Sequence, residues 1–135
     1  MEDEMAGTFK FELVTPERML LSEDAAQVVV PGVEGEFTVL ASHAPVIAAL
    51  RPGVVDATLA DDRSVRVFVK GGFAEVDADR LVVLAERAVP VEDLDAARIA
   101  EELETAEAEL AGAASDDARL AAASAVDSLR ALQRR

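Results

Sequence analysis

The sequence predicts a β + α fold, in which an N-terminal antiparallel β-sandwich or flattened barrel of about ten strands precedes a C-terminal antiparallel α-helical hairpin. As far as Glu86, apolar and polar residues alternate in short runs separated by closely spaced turn signals, which is typical of antiparallel sheets. After Pro90 the apolar residues recur at a helical period instead. We therefore expect a sandwich domain over residues 1–90 and a helical hairpin over residues 91–135.

The first strands are predicted from alternation and from turn residues. Residues 8–14 alternate cleanly between apolar and polar side chains, and residues 18–22 form a second, shorter run. Glu23-Asp24 predict a turn into the valine-rich strand at residues 26–30. Pro31-Gly32 predict the end of that strand, because proline has no backbone N–H to donate to a neighbouring strand.

The middle of the chain predicts a series of hairpins. Gly35 gives the backbone the freedom to reverse, and Pro45 fixes a second corner before the next apolar run. Gly71-Gly72 tolerate the positive φ angles that a tight hairpin requires. The predicted strands of this part of the chain cover residues 36–40, 46–50, 54–60, 65–69, 73–76 and 80–86.

Some of the late strands are apolar on both faces. Phe68, Val82 and Leu84 fall on the opposite phase to the neighbouring residues that point into the core. A sandwich whose outer faces were both in water would not need apolar residues there. We therefore expect another part of the molecule to pack on an outer face.

The C-terminal residues predict two helices joined by a short loop. Asp93 is the expected N-cap of the first helix, Gly112 its end, and Ser115 the N-cap of the second. The apolar seam of the first helix is formed by Ile99, Leu103, Ala106 and Leu110. Alanine accounts for 14 of the 44 residues from 92 to 135. Because buried alanine contributes little to docking, we expect a weakly docked hairpin that can move.

Composition excludes several classes of function. The net charge of −14 disfavours nucleic acid as a partner, and no apolar run is long enough to insert into a membrane. The chain contains no cysteine, which excludes disulfides and thiolate metal sites. The acidic N-terminus Met1–Glu4 is unlike a targeting sequence, so we expect a protein that stays in the bacterial cytoplasm.

No catalytic constellation is recognisable in the sequence. His43 is the only histidine, and the adjacent Ser42 lacks the strained turn of a nucleophilic serine. No phosphate-binding glycine loop or calcium loop is present. The sequence therefore predicts a protein that is not an enzyme and that holds neither a metal nor a cofactor. Two alternatives are a free-standing module that senses a small ligand and an adaptor with a mobile helical hairpin.

Two segments resemble those of a known family. The run PGVEGEFTVLASHAPVIAALRPG begins at Pro31, and the run VKGGFAEV begins at Val69. Both are similar to signatures of the ε subunit of bacterial F-type ATP synthase, the homologue of the mitochondrial δ subunit. The resemblance extends in order over essentially the whole chain.

This resemblance implies a non-catalytic subunit of the central stalk of a proton-translocating ATP synthase. Such a subunit couples the γ subunit to the polar loops of the c ring on the cytoplasmic face of the bacterial inner membrane. It is a peripheral part of the complex and takes part in rotary ATP synthesis and hydrogen-ion transport. By resemblance, the contact with the stalk and the c ring involves Gly35, Glu36, Phe37, His43, Ala44 and Pro45.

The hairpin resembles the regulatory element of the same family, which in an extended state can reach the catalytic α and β subunits and inhibit ATP hydrolysis. By resemblance, the candidates for that inhibitory contact are Arg119, Arg130, Arg134 and Arg135. Several family members bind ATP as a regulatory ligand, and the matching positions here are Glu86, Leu94, Asp95 and Arg98. Acidic residues follow Arg98 closely along the first predicted helix, and their field disfavours a triphosphate.

Overall fold

A computed structural model describes residues 7–134 of the chain, which contain nine strands, a short 3-10 turn and two helices. The acidic segment Met1–Glu4 and the candidate residue Arg135 lie outside the described residues. The strands β1 to β9 span Phe9–Val14, Met19–Gly32, Gly35–Val39, Val46–Leu50, Gly53–Leu59, Ser64–Val69, Gly72–Asp77, Arg80–Ala85 and Ala88–Pro90. The 3-10 turn spans Val91–Asp93, and the helices α1 and α2 span Ala96–Ala111 and Asp116–Gln133. The predicted β + α fold class is confirmed.

The strands form one sheet that closes on itself around a core. Its order is β1-β8-β7-β4-β2-β5-β6-β9, with β3 paired to the side of β2. Strand β1 also pairs with β2, which closes β1, β8, β7, β4 and β2 into a ring, and its pairing with β8 is parallel. One wall of the sandwich therefore consists of β4, β7, β8 and β1, and the other of β5, β6 and β9, with β2 shared between them.

Strand β2 corrects two of the predicted turns. Glu23 and Asp24 continue the strand, because they pair with Phe11 and Lys10 of β1. The strand also runs through Pro31 to Gly32, and the Pro31 carbonyl accepts a hydrogen bond from the Arg51 N–H at 3.0 Å. Pairing on both sides of β2 thus outweighs the local turn signals, and two predicted short strands merge into one of 14 residues.

The predicted inward faces are confirmed by burial. The fully enclosed core includes residues of β1, β5 and β6 that the alternation pattern placed there: Phe9, Phe11, Leu13, Val55, Ala57, Leu59, Val67 and Val69. The short strand β9 was not predicted from the sequence. It pairs with β6 and brings the chain from the sandwich towards the helices.

The turn between β5 and β6 is fastened by a short-range ion pair. The Arg63 Nε donates to an Asp61 carboxylate oxygen at 2.8 Å, and the same guanidinium contacts Glu23 of β2. The hydrogen bond from Arg63 holds the pKa of Asp61 below its usual range. Asp62 adopts a φ of 71° at this turn, a left-handed conformation that aspartate tolerates.

The helical hairpin covers the outer face of the β5–β6–β9 wall. Phe68 is fully buried in a second apolar cluster with Ile99 and Ala106 of α1 and Val126 and Leu129 of α2. The expectation that something packs on an outer face is therefore confirmed at Phe68. It is wrong at Leu84, which is 46% exposed, because β8 lies in the other wall.

The helix ends agree with the sequence at two of three positions. Gly112 follows α1, and the Ser115 Oγ accepts a hydrogen bond from the Ala118 N–H at 3.0 Å at the start of α2. The prediction of Asp93 as N-cap is wrong, because Asp93 belongs to the 3-10 turn. Asp95 caps α1 instead, and its carboxylate accepts a hydrogen bond from the Arg98 N–H at 2.8 Å.

Candidate functional site

A groove between β3 and β4 collects most of the predicted stalk-contact residues. It has a volume of about 560 Å³ and lies between the β2–β3 turn and the loop that leads into β4. Of the six predicted residues, five line it: Gly35, Phe37, His43, Ala44 and Pro45. The two sequence motifs are therefore brought together in space. Their role in a contact stays a prediction.

The loop before β4 is held by a local hydrogen bond and an aromatic contact. The His43 Nδ1 donates to the carbonyl oxygen of Ala44 at 2.7 Å, and the ring lies 6.4 Å from that of Phe37. Because the carbonyl can only accept, the proton of this hydrogen bond resides on Nδ1. His43 is thus a residue that shapes the loop rather than a member of a catalytic pair.

Glu36 lies apart from the groove. It is exposed on β3 and is paired across the ladder with Pro31 of β2. Successive side chains in a strand point to opposite faces, so the Glu36 side chain faces away from that of Phe37. Its carboxylate is fully available to a partner that approaches this side of the β2–β3 hairpin.

The β4–β7–β8–β1 wall carries an exposed apolar surface that sequence reasoning missed as a site. Its largest exposed members are Ile47 (69% exposed), Phe73 (54%) and Leu84 (46%). Phe73 pairs with Ala49 of β4 and with Leu84 of β8, which places these side chains in one row across the strands. We call Ile47, Ala49, Phe73 and Leu84 the outer apolar face.

The outer apolar face has charged residues beside it but no covering element among residues 7–134. Glu75 lies opposite Ile47 in the same sheet, and the ion pair between Glu12 and Arg80 joins β1 to β8 at 2.8 Å. Ile47 and Phe73 point to the face opposite to that of the buried Ala74 and Val76. This alternation was the signal in the sequence that could have revealed the outer apolar face. A large exposed apolar surface with a polar border is characteristic of a protein-binding site.

The positions that resemble an ATP site are not gathered around one cavity. Leu94 is buried in the apolar cluster beneath the hairpin, and the Asp95 carboxylate caps α1. The Arg98 side chain points towards Glu102, with 3.7 Å between its Nε and a carboxylate oxygen. Glu86 alone of the four lines the groove of about 980 Å³ between the sandwich and the hairpin. Three of the four side chains thus already have structural partners.

The candidate inhibitory arginines have different surroundings. The Arg130 guanidinium donates to the Glu107 carboxylate at 2.7 Å, which ties α2 to α1. Arg119 pairs with Asp116 within the first turns of α2 at 2.9 Å. Arg134 is exposed at the end of α2. Among these three, Arg134 can therefore be changed with the smallest effect on the hairpin itself.

Comparison with known proteins identifies the family. Residues 8–91 match the family model described as the β-sandwich domain of the ATP synthase delta/epsilon chain. An ATP synthase epsilon chain of Chelativorans sp. (strain BNC1) is 45% identical over 129 residues, which cover 96% of each chain. The chain belongs to the ATP synthase epsilon-chain family. An epsilon chain of Sinorhizobium medicae (strain WSM419) is 47% identical over 112 residues, 83% of this chain and 84% of its own length.

Solved structures agree with this assignment. A chain in the cryo-EM structure of Euglena gracilis mitochondrial ATP synthase, titled OSCP/F1/c-ring in rotational state 1, has a TM-score of 0.73 at 25% identity. The match covers 94% of this epsilon chain and 80% of that chain. A chain in the central stalk/c-ring structure of Tetrahymena thermophila mitochondrial ATP synthase shares the fold, with a TM-score of 0.68 at 15% identity over 93% of this chain and 96% of that one.

Membership of the epsilon-chain family confirms the prediction of a non-catalytic ATP synthase subunit. No helix described between residues 7 and 134 is long and apolar enough to cross a membrane. Within the same residues, no group of three or more histidine or acidic side chains is arranged to hold a metal ion. Epsilon chains are part of the ATP synthase complex, which implies a peripheral association with the membrane.

Proposed function

We propose that this epsilon chain joins the γ subunit of the central stalk to the polar loops of the c ring, on the cytoplasmic face of the bacterial inner membrane. In this proposal the sandwich of residues 1–90 makes both contacts, and the hairpin of residues 91–135 regulates. The main support for this proposal is the outer apolar face. It has the aromatic and aliphatic composition of an interface core, and the opposite wall is already covered by the chain's own hairpin.

The two surfaces of the sandwich suit two different partners. The outer apolar face is suited to a large stalk subunit, because burial of Ile47, Phe73 and Leu84 would remove three large side chains from water. The groove lined by Phe37 and His43, together with the exposed Glu36, is suited to a short polar loop. A closed sandwich whose central strand β2 belongs to both walls connects these surfaces rigidly.

Binding to the isolated γ subunit tests this proposal. We expect Phe73→Glu to weaken the affinity by about thirtyfold, since an aromatic residue at the centre of an interface contributes about 2 kcal/mol or more. Isothermal titration calorimetry of the full-length chain gives the affinity directly. Leu120→Glu is the matched control, because Leu120 is 69% exposed on α2 and lies outside the outer apolar face.

The control should bind γ as tightly as the unchanged chain. If Phe73→Glu also bound normally, the outer apolar face would not be the γ-binding surface, and the stalk proposal would lose its main support. Circular dichroism of both variants would verify that the sandwich is intact. An exposed substitution on one strand is expected to change stability by less than about 1 kcal/mol.

The regulatory part of the proposal concerns the extended hairpin, whose C-terminal arginines would meet the catalytic α and β subunits. We expect Arg134→Glu to relieve inhibition of ATP hydrolysis in the assembled F1 complex, because it reverses one charge of that contact. Arg130→Glu is a less clean test, since it also breaks the ion pair with Glu107. Hydrolysis rates that are unchanged in Arg134→Glu would argue against a role for this charge.

A further inference from the structure

Glu102 is the one charged residue that is buried among those the structure describes. Only 8% of its surface is exposed, although it lies on α1 between the exposed Glu101 and the half-buried Leu103. A carboxylate that loses water is stabilised only where cations or hydrogen-bond donors replace the water. The surroundings of Glu102 must therefore provide that compensation.

Three cations surround the Glu102 carboxylate at similar distances. The Lys70 Nζ lies 3.8 Å from one oxygen, and the other oxygen lies 3.6 Å from the Arg87 guanidinium and 3.7 Å from that of Arg98. Arg98 is on the same helix, one turn earlier. Lys70 and Arg87 belong to the sandwich, where a backbone hydrogen bond of 2.9 Å joins them. Two of the three ion pairs therefore connect the hairpin to the sandwich.

This arrangement makes the charge of Glu102 necessary for docking. Lys70 has only 18% of its side chain exposed when the hairpin is docked, and two guanidinium groups lie close by. Without the carboxylate, Lys70 would lie beside the partly exposed guanidinium groups of Arg87 and Arg98 with no counter-charge between them, and that repulsion would favour release. In the released state Arg98 moves away with its helix, and Lys70 and Arg87 become hydrated, so the loss of Glu102 would destabilise mainly the docked state.

The apolar part of the docked interface mixes large and small side chains. Phe68 is its only phenylalanine, and two of its buried helix positions, Ala106 and Ala125, are alanines, which bury little area. The other polar connection is a single serine on α2. The Ser124 Oγ donates to the Pro52 carbonyl at 2.7 Å and accepts from the Arg51 guanidinium at 3.2 Å.

We propose that Glu102 is an electrostatic latch that holds the helical hairpin on the sandwich, through Lys70 and Arg87, and that the charge at this position controls how often the hairpin is released. The latch is a property of the single chain. It does not depend on the proposed contacts with γ or the c ring.

A cysteine probe measures the release directly, because the natural chain contains no cysteine. Ala106 is fully buried beneath the hairpin, so the thiol of an Ala106→Cys chain reacts with a thiol reagent only when the hairpin opens. The ratio of its labelling rate to that of an unfolded chain gives the fraction open. Ala74→Cys, fully buried within the sandwich, reports opening of the sandwich in the same way.

Glu102→Gln is expected to raise the labelling rate at position 106 by about tenfold, as for the loss of a network of partly exposed ion pairs. Glu101→Gln, which makes the same change at an exposed neighbour, should leave the rate unchanged. At about 1 M salt, charges are screened beyond roughly 3 Å. Under these conditions the labelling rate of the chain that keeps Glu102 should approach that of Glu102→Gln. Salt should lower the labelling rate of the variant, because it screens the repulsion among the three remaining cations, so the two rates should converge.

Several outcomes would overturn the proposal. One is an equal labelling rate for Glu102→Gln and Glu101→Gln, and another is a rate that salt does not change. A matching increase in the labelling of the Ala74→Cys chain would also contradict it, because Glu102 would then stabilise the sandwich rather than the docked hairpin. Lys70→Gln provides the partner test. If the latch exists, the double variant Lys70→Gln/Glu102→Gln should raise the labelling rate at position 106 by less than the product of the increases in the two single variants.

Discussion

Replacement of Phe68 with alanine is expected to lower the free energy of unfolding by about 3–5 kcal/mol, the range for removing a fully buried aromatic side chain. Phe68 lies between Val54 and Val89 in the β5–β6–β9 wall and is covered by both helices. Its removal leaves a cavity where the hairpin meets the sandwich. Urea denaturation followed by circular dichroism measures the change.

Phe73→Ala is the matched control for this prediction. It removes the same side chain from the other wall, where 54% of the ring is exposed, and should lower the stability by less than about 1 kcal/mol. The pair separates stability from binding, because Phe73 is expected to affect the affinity for γ. If Phe68→Ala were no more destabilising than Phe73→Ala, the hairpin would not cover Phe68 in solution.

Replacement of Gly72 with alanine is expected to be similarly severe, at on the order of 3–5 kcal/mol. Gly72 has a φ of +120°, and a Cβ atom added there would lie 2.0 Å from the carbonyl oxygen of Leu84. That oxygen belongs to β8, which is paired on both sides with β7 and β1 and cannot move away easily. The thermal midpoint and the urea midpoint of the variant should both fall.

Gly35→Ala separates the two contributions to this effect. Gly35 also has a left-handed φ of +134°, but no atom lies within 4 Å of an added Cβ. Its replacement should therefore lower the stability by about 1–2 kcal/mol, from backbone strain alone. A loss at Gly35 as large as that at Gly72 would show that the close approach to Leu84 is unimportant.

The fold class and the inward faces of the strands could be predicted because they depend on local pattern. Phe9, Phe11 and Leu13 alternate so regularly that only one face of β1 could be buried. The errors concern features that depend on partners distant in the sequence. Glu23-Asp24 is a favourable turn pair locally, but pairing with β1 keeps it extended. Tertiary pairing of this kind leaves no local signal.

The candidate site could be predicted only where it coincides with motifs. Gly35 and His43 were identified through the segments that resemble the family's signatures, and the structure places both beside one groove. In the sequence, Phe68 and Leu84 show the same pattern, since each is an apolar residue on the strand face opposite to the core. The outer apolar face was missed because this pattern does not tell a covered residue from an exposed one. Only the order of the strands reveals that the hairpin covers Phe68 and leaves Leu84 exposed. Glu102 was likewise indistinguishable from its acidic neighbours.

The parallel pairing of β1 with β8 imposes an order of events during protein synthesis. Lys10 lies opposite Arg80 and Val14 opposite Leu84, so the first strand must wait for a partner that is translated much later. The sandwich therefore cannot close until β8 has left the ribosome, and contacts so distant in sequence fold slowly. The hairpin is translated after the sandwich. It can dock only on a sandwich that is already complete, so the hairpin folds onto the sandwich after β8 and β9 are in place.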